Sequence, residues 1–168
     1  MELHAWLNPY RAKTKTTSAL ASNHVAMRHP GSVFAYDGLF ILNPGQPSNR
    51  DYIIKVVNDI VTRYDIDGIH MDDYFYPTKE ASFDAAAYKE YGSGKSLADW
   101  RRANINTLVK GLYSISKADG KSVVFGISPA GNIDNVYNSQ YADIYTWCAN
   151  KGYIDYICPQ IYFGFEHK

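Results

Sequence analysis

Two carboxylates stand side by side in DGIHMDDYFYP, residues 67–77, at the end of a short apolar run. Crowding Asp72 against Asp73 in a partly dry site pushes the pKa of one of them up. That gives a neutral acid and an ionised partner near neutral pH, the equipment of general acid–base chemistry. The plainer use of such a pair is structural, with one Asp capping the next segment or binding neighbouring backbone. Strand alternation turns Gly68, His70 and Asp72 to one face, with Tyr74 one step on, and Asp73 begins the loop. The rings of Tyr74, Phe75 and Tyr76 follow directly.

The elements that must position this pair are legible from periodicity. Glu2–Leu7 reads as a strand with Leu3, Ala5 and Leu7 on one face and His4, Trp6 and Asn8 on the other. A polar stretch from Ala12 to Pro30 shows no periodicity. Val33–Leu42 reads as a hairpin about Asp37-Gly38, the type I′ turn signal. Ser48 and Asp51 form a capping-box-like start for a helix with Ile53, Val57, Ile60, Val61 and Tyr64 on one stripe. Ile66–Asp72 is the second strand. Asp84–Tyr91 is a short helix stopped by Gly92. Ser96 opens a long helix that buries Trp100, Ile105, Leu108, Val109 and Leu112 and ends at Gly120. Ser122–Ser128 is a third strand, Tyr141–Asn150 a third helix and Tyr153–Tyr162 a fourth strand.

This alternation predicts an α/β fold with parallel strands and right-handed crossovers. Each strand has one apolar face and one that turns polar or aromatic toward its C-terminal end: His4, Trp6 and Asn8; His70 and Asp72; Gly126 and Ser128; Cys158, Gln160 and Tyr162. A doubly wound sheet needs two apolar faces. A (β/α)8 TIM barrel needs one, with the other leading to the rim where its chemistry sits. The expectation is one domain over residues 1–168, a partial barrel of about four β/α units with an inserted hairpin and strands missing on both sides.

Composition narrows the function. Lys and Arg number 17, Asp and Glu 17, so the chain is formally neutral and no basic cluster suits a nucleic acid. Cys148 and Cys158 lie in apolar contexts, carry no metal-binding spacing and read as buried free thiols. No apolar run is long enough to span a bilayer, and the N-terminus lacks a signal-peptide pattern. Fifteen Tyr, 7 Phe and 3 Trp suit amphipathic ligands such as sugars, as well as cores.

Five segments in order, ELHAWLNPYR, LNPG, DGIHMDDYFYP, FGISPAGN and YIDYICPQIY, together resemble the glycosyl hydrolase-like family 10. The resemblance runs over nearly the whole chain and places it at the third to sixth barrel strands. It implies cleavage of bacterial polysaccharide, including peptidoglycan strands stripped of their peptides, and an extracytoplasmic location. No cofactor is expected. Chitinase-type glycosidases of family 18 carry a similar DGxDxDxE segment. Laid on this sequence, its aspartates fall on Asp67 or His70 and on Asp72, and its acid falls on Tyr74, leaving Asp73 as the nearest spare carboxylate.

Glycosidic cleavage needs a proton donor and a second carboxylate, about 5–5.5 Å apart for retention and about 6.5–9.5 Å for inversion. The catalytic candidates are Asp72, Asp73 and Glu166, which follows the fourth strand. Candidate sugar contacts are His4, Trp6, Asn8, Arg11, His70, Tyr74, Tyr76, Asn132, Gln160 and Tyr162. Rings stack on sugars, and the polar groups bind hydroxyls. Arg11 is also placed to pair with Asp72 or Asp73 and hold one ionised. Two other readings stand beside this one. The same rim could grip a glycan without cutting it. Alternatively His4, His70 and Asp72 could hold the metal of a deacetylase or hydrolase.

Overall fold

The computed structural model describes residues 1–15, 17–29 and 31–166, so Thr16 and Pro30 of the polar 12–30 stretch lie outside the described residues. Its elements run β1 (His4–Leu7), β2 (Arg11–Lys13), α1 (Val25–Arg28), β3 (Val33–Tyr36) and β4 (Leu39–Leu42). There follow α2 (Pro47–Arg63), β5 (Gly68–Met71), α3 (Ala85–Tyr91) and α4 (Leu97–Ser116). Last come β6 (Val124–Ile127), α5 (Ile133–Asn138), α6 (Ile144–Ala149) and β7 (Tyr156–Ile157).

Four strands form the main sheet in the order β1-β5-β6-β7, all neighbours parallel, and register pairs Trp6 with His70 and His70 with Gly126. Ile69, Met71, Phe125 and Ile127 are wholly buried, as are Ile105, Leu108 and Val109 of α4. Each such side chain contributes roughly 1.5–3 kcal/mol by leaving water. The opposite face carries His4, Trp6, Gly68, His70, Gly126 and Tyr156. One face of the sheet is therefore core, and the other is lined by polar and aromatic groups, the layout of a barrel sector.

Two carboxylates anchor the strand beginnings. Asp67 Oδ2 accepts from Leu3 N–H at 2.6 Å, and Asp155 Oδ2 accepts from Phe125 N–H and from Lys117 Nζ, each at 2.7 Å. With the starts pinned, the C-terminal ends of β1, β5 and β6 stay level, which sets the positions of Trp6, Asp72 and Ser128.

The hairpin forms as its turn residues require, with positive φ at Asp37 (45°) and Gly38 (72°). β2 adds antiparallel to β4, making a three-stranded sheet in the first connection. Sequence periodicity does not reveal β2, because three residues are too few to show alternation.

Several boundaries differ from the sequence reading. α2 starts at Pro47 behind Gln46, so Ser48 lies inside the first turn and no capping box forms. Proline at the first helical position presets φ and starts the helix early. Tyr64 is the C-cap of α2 and is exposed. Ser96 does cap α4, its Oγ accepting from Asp99 N–H at 3.1 Å. The third helix expected over Tyr141–Asn150 is α6, which starts only at Ile144 because Tyr141 adopts φ 56° and Asp143 is the cap; α5 before it has no counterpart in the sequence reading. The fourth strand pairs only at Tyr156–Ile157, with one further bridge from Ala130 to Gln160; Pro159 lacks the N–H that would continue the ladder. Both cysteines are exposed rather than buried. Cys148 follows the inward Trp147 and points away from the core, and Cys158 lies just past the short edge strand.

Arg101 of α4 is fully buried and ties down the chain that follows β5. Its Nε and Nη2 donate to Asp84 at 3.0 and 2.5 Å, and it also donates to Thr78 O, Glu80 O and Tyr141 Oη. Its guanidinium also lies over the Tyr76 and Tyr141 rings. The loop from Tyr74 to Glu80 is thereby held against the helix layer.

Candidate functional site

The polar face of the sheet converges on one hydroxyl. Tyr156 Oη lies 2.8 Å from His70 Nδ1 and 3.2 Å from His4 Nδ1, and its ring stacks on His70. His4 Nε2 reaches Glu2 at 3.3 Å, and Trp6 meets His70 edge-on. A hydroxyl has one proton to give, so one imidazole accepts it and the other donates to the oxygen. Burial, above all, lowers the His70 pKa; nearby Asp72 works against that, and His4 adds to it. The neutral form of His70 is thereby favoured.

Two glycines make room for these rings. A Cβ at Gly126 would stand 2.1–2.3 Å from the Tyr156 ring, and one at Gly68 would stand 2.6–2.7 Å from the His4 imidazole. We expect Gly126→Ala to displace Tyr156 from both histidines and to cost roughly 1–3 kcal/mol, typical of overpacking. Urea unfolding together with the histidine NMR shifts would check this; unchanged shifts would show the ring adapting.

Above this layer sits the carboxylate pair. Asp72 Oδ1 accepts from the Asp73 backbone N–H at 2.8 Å and from Gln160 Nε2 at 3.0 Å. Gln160 is itself fixed by donating to Ser128 O at 2.9 Å. The two carboxyls also share a hydrogen bond. Burial would raise Asp72, but that bond, the Asp73 backbone N–H, Gln160 and Trp6 outweigh it and leave Asp72 below the ordinary carboxylate range. Asp73 is pushed up to about 6, first by burial and then by the hydrogen bond and charge of Asp72. Below about pH 6 the two neighbours therefore divide the protonation states: Asp72 is an ionised acceptor and Asp73 a carboxylic acid.

The other candidates scatter more widely. Trp6 is 70 % exposed on the polar face, and Tyr74 is exposed with the Arg11 guanidinium 4.2 Å from its ring centre. Arg11 makes no ion pair with Asp72 or Asp73, contrary to expectation; it donates to the Asn8 side-chain oxygen, at 2.7 Å from Nη2, with the amide oxygen turned toward it. Asn8 is thereby occupied in holding Arg11. Tyr76 is 2 % exposed, its ring set edge-on against Tyr141 and its hydroxyl accepting from Asn104, so it packs the core instead of forming an open platform. Its place inside the Arg101-bound loop explains this burial. Asn132 caps α5 by accepting from Asn135 N–H at 2.9 Å. Tyr162 and Glu166 lie exposed beyond β7. Among the described residues no group of three His, Cys, Asp or Glu could hold a metal ion, and His4 and His70 both turn Nδ1 to a hydroxyl. Tyr156 escaped the sequence reading, although the alternation through Cys158 and Gln160 extends back to it.

Comparisons with known proteins bear on the family and the fold. The chain matches the glycosyl hydrolase-like 10 family over residues 1–167. It is 42 % identical to glycosyl hydrolase YngK of Bacillus subtilis, across 98 % of this chain and 36 % of that protein. It is 35 % identical to glycosyl hydrolase DigH of Escherichia coli, across 100 % of this chain and 44 % of that protein. The chain thus spans less than half the length of these relatives. In fold it is similar to the glycoside hydrolase domain of PgaB (BpsB) from Bordetella bronchiseptica, with TM-score 0.55 and 16 % identity, covering 95 % of this chain and 50 % of that one. The four-stranded parallel sheet is accordingly a partial barrel.

Proposed function

Because the chain belongs to the glycosyl hydrolase-like 10 family, we propose that it supplies the acid side of a glycoside hydrolase site acting on a bacterial cell-wall or related polysaccharide. Peptidoglycan strands freed of their peptides are the substrate we infer, and the cell envelope or the exterior is the matching location. The observation that carries the reading is the divided protonation of Asp72 and Asp73 at the C-terminal end of β5. Active sites of barrels sit at that end.

In this reading Asp73 protonates the leaving glycosidic oxygen. Asp72 stays ionised, orients the Asp73 proton through their shared hydrogen bond and stabilises positive charge developing on the sugar. Two carboxyls in hydrogen-bond contact are too close to flank a glycosidic bond as acid and nucleophile, which takes about 5 Å or more. Asp72 is therefore the supporting partner. His70, held by Tyr156, stands on the same face of the strand as Asp72. Trp6 and Tyr74 offer exposed ring faces for sugars on either side.

Release of reducing ends from peptide-free glycan strands tests this directly. The reading expects release by the protein and its loss in Asp72→Asn as well as Asp73→Asn. Binding of the strands without any release would instead favour a silent, carbohydrate-binding barrel.

A further inference from the structure

The hydrogen bonds that meet at Tyr156 run in one direction, and an exposed side chain sets it. Glu2, just before β1, is 75 % exposed, and its Oε2 lies 3.3 Å from His4 Nε2. An ionised carboxylate only accepts, so with both imidazoles neutral His4 carries its proton on Nε2 and a lone pair on Nδ1. That lone pair meets the Tyr156 hydroxyl at 3.2 Å and takes its proton as acceptor. The hydroxyl oxygen, having donated to His4, is itself the acceptor toward His70 Nδ1 at 2.8 Å. His70 therefore carries its proton on Nδ1, and its Nε2 is left with a lone pair.

No protein group uses that lone pair. His70 is partly exposed, and among the described residues its Nε2 meets no hydrogen-bond partner. Nε2 is at the end of the ring away from the backbone, on the strand face that also carries Asp72. The ring is held from two sides, by Tyr156 stacked on it at 5.8 Å between centroids and by Trp6 edge-on at 5.7 Å. Burial lowers the His70 pKa, which favours the neutral ring that the arrangement needs. The Asp72 charge pulls the other way, toward a proton on Nε2, but it makes no hydrogen bond to His70, whereas Tyr156 makes one of 2.8 Å. In the other tautomer an Nε2–H would compete with the Asp73 N–H and Gln160 for the Asp72 carboxylate.

We propose that Tyr156 is a positioning residue: with Glu2 and His4 behind it, it holds His70 in the Nδ1–H tautomer and so presents Nε2 to the substrate as the acceptor for a hydroxyl. The substrate contact rests on the glycosidase reading, and the tautomer does not. With Asp72 ionised beside it, this stretch of the rim accepts at two points, which suits the hydroxyls of a sugar and disfavours a carbonyl or an anion.

Long-range 1H–15N correlation spectra of the histidine rings at pH 8 test it. His70 should carry its proton on Nδ1 and His4 on Nε2. In Tyr156→Phe the partner of Nδ1 is gone, and His70 should move to the Nε2–H form. Glu2→Gln, whose amide donates as well as accepts, should leave His70 divided between the two forms; because Glu2 is exposed, this variant serves if Tyr156→Phe does not fold. A proton on Nε2 of His70 in the unmodified protein, or a His70 tautomer unmoved in either folded variant, would overturn the assignment. Reducing-end release from peptide-free glycan strands keeps the two readings apart. Tyr156→Phe should raise KM about threefold to tenfold at nearly unchanged kcat, the size of one lost hydrogen bond. An unchanged KM would overturn the substrate contact. Absence of release by the unmodified protein counts against the hydrolase alone, and the spectra then decide the positioning role.

Discussion

Replacing Asp73 by Asn should stop glycan cleavage and, at alkaline pH, make the protein more stable. Both effects come from one cause, a carboxyl held protonated up to about pH 6 by burial and by Asp72. As general acid it contributes typically about 10²–10⁴-fold to the rate, which is the loss expected in kcat/KM. In the unmodified protein, activity requires Asp72 ionised and Asp73 protonated. The pH–rate profile should therefore be bell-shaped, with its acid limb below the ordinary carboxylate range and its alkaline limb near pH 6. The stability sign follows from linkage. A pKa raised from about 3.9 in the unfolded chain favours the fold below that value, and the contribution is lost as pH rises through about 6. Asparagine keeps the neutral hydrogen-bonding shape and never ionises. Asp73 is partly exposed, which screens the penalty, so the gain in Asp73→Asn at pH 8 is expected at about 1 kcal/mol, with little difference at pH 4. Urea unfolding at the two pH values checks it. A variant that matches the unmodified protein at both would show that Asp73 is an ordinary, ionised carboxylate.

This pair was readable in the sequence because a strand has a period of two and its neighbours were plainly apolar. Ile69 and Met71 are fully buried, so Gly68, His70 and Asp72 had to face the other way. The same logic stopped short on the fourth strand. The alternation through Cys158 and Gln160 extends back to Tyr156, which binds both histidines, but only the rim end of that strand was followed. Contacts between distant segments left no local trace. Gln160 was chosen for its place on the rim, but its bond to Asp72 across 88 positions follows from the sheet order. Tyr141 at φ 56° is a backbone state that a bulky residue rarely adopts, so nothing local announced that the helix read from Tyr141 starts only at Ile144. Arg11 shows the opposite error, where a cation near two carboxylates suggested an ion pair and an aromatic face with an amide took it instead.

The largest loss of stability is expected from Arg101→Met. Arg101 and Asp84 are both fully shielded at their side chains, and the guanidinium also satisfies Thr78 O, Glu80 O and the Tyr141 hydroxyl. Removing the cation leaves the Asp84 carboxylate buried and unpaired and orphans two loop carbonyls. Breaking such a pair from one side costs about 3–5 kcal/mol, a large share of the roughly 5–15 kcal/mol that holds a domain folded. Arg101→Met with Asp84→Leu should recover part of that loss, since an apolar pair no longer strands a charge. The double variant still lacks the donors to Thr78 and Glu80. Its fold should return before its site does, because those two carbonyls hold the far end of the loop that carries Asp73, Tyr74 and Tyr76. Chemical unfolding would give the energies, and the cleavage assay on the double variant would give the second half. If activity returned in full along with stability, Arg101 would be a core residue and nothing more. A stable but poorly active double variant would show that the clamp on this loop is what sets the wall of the site.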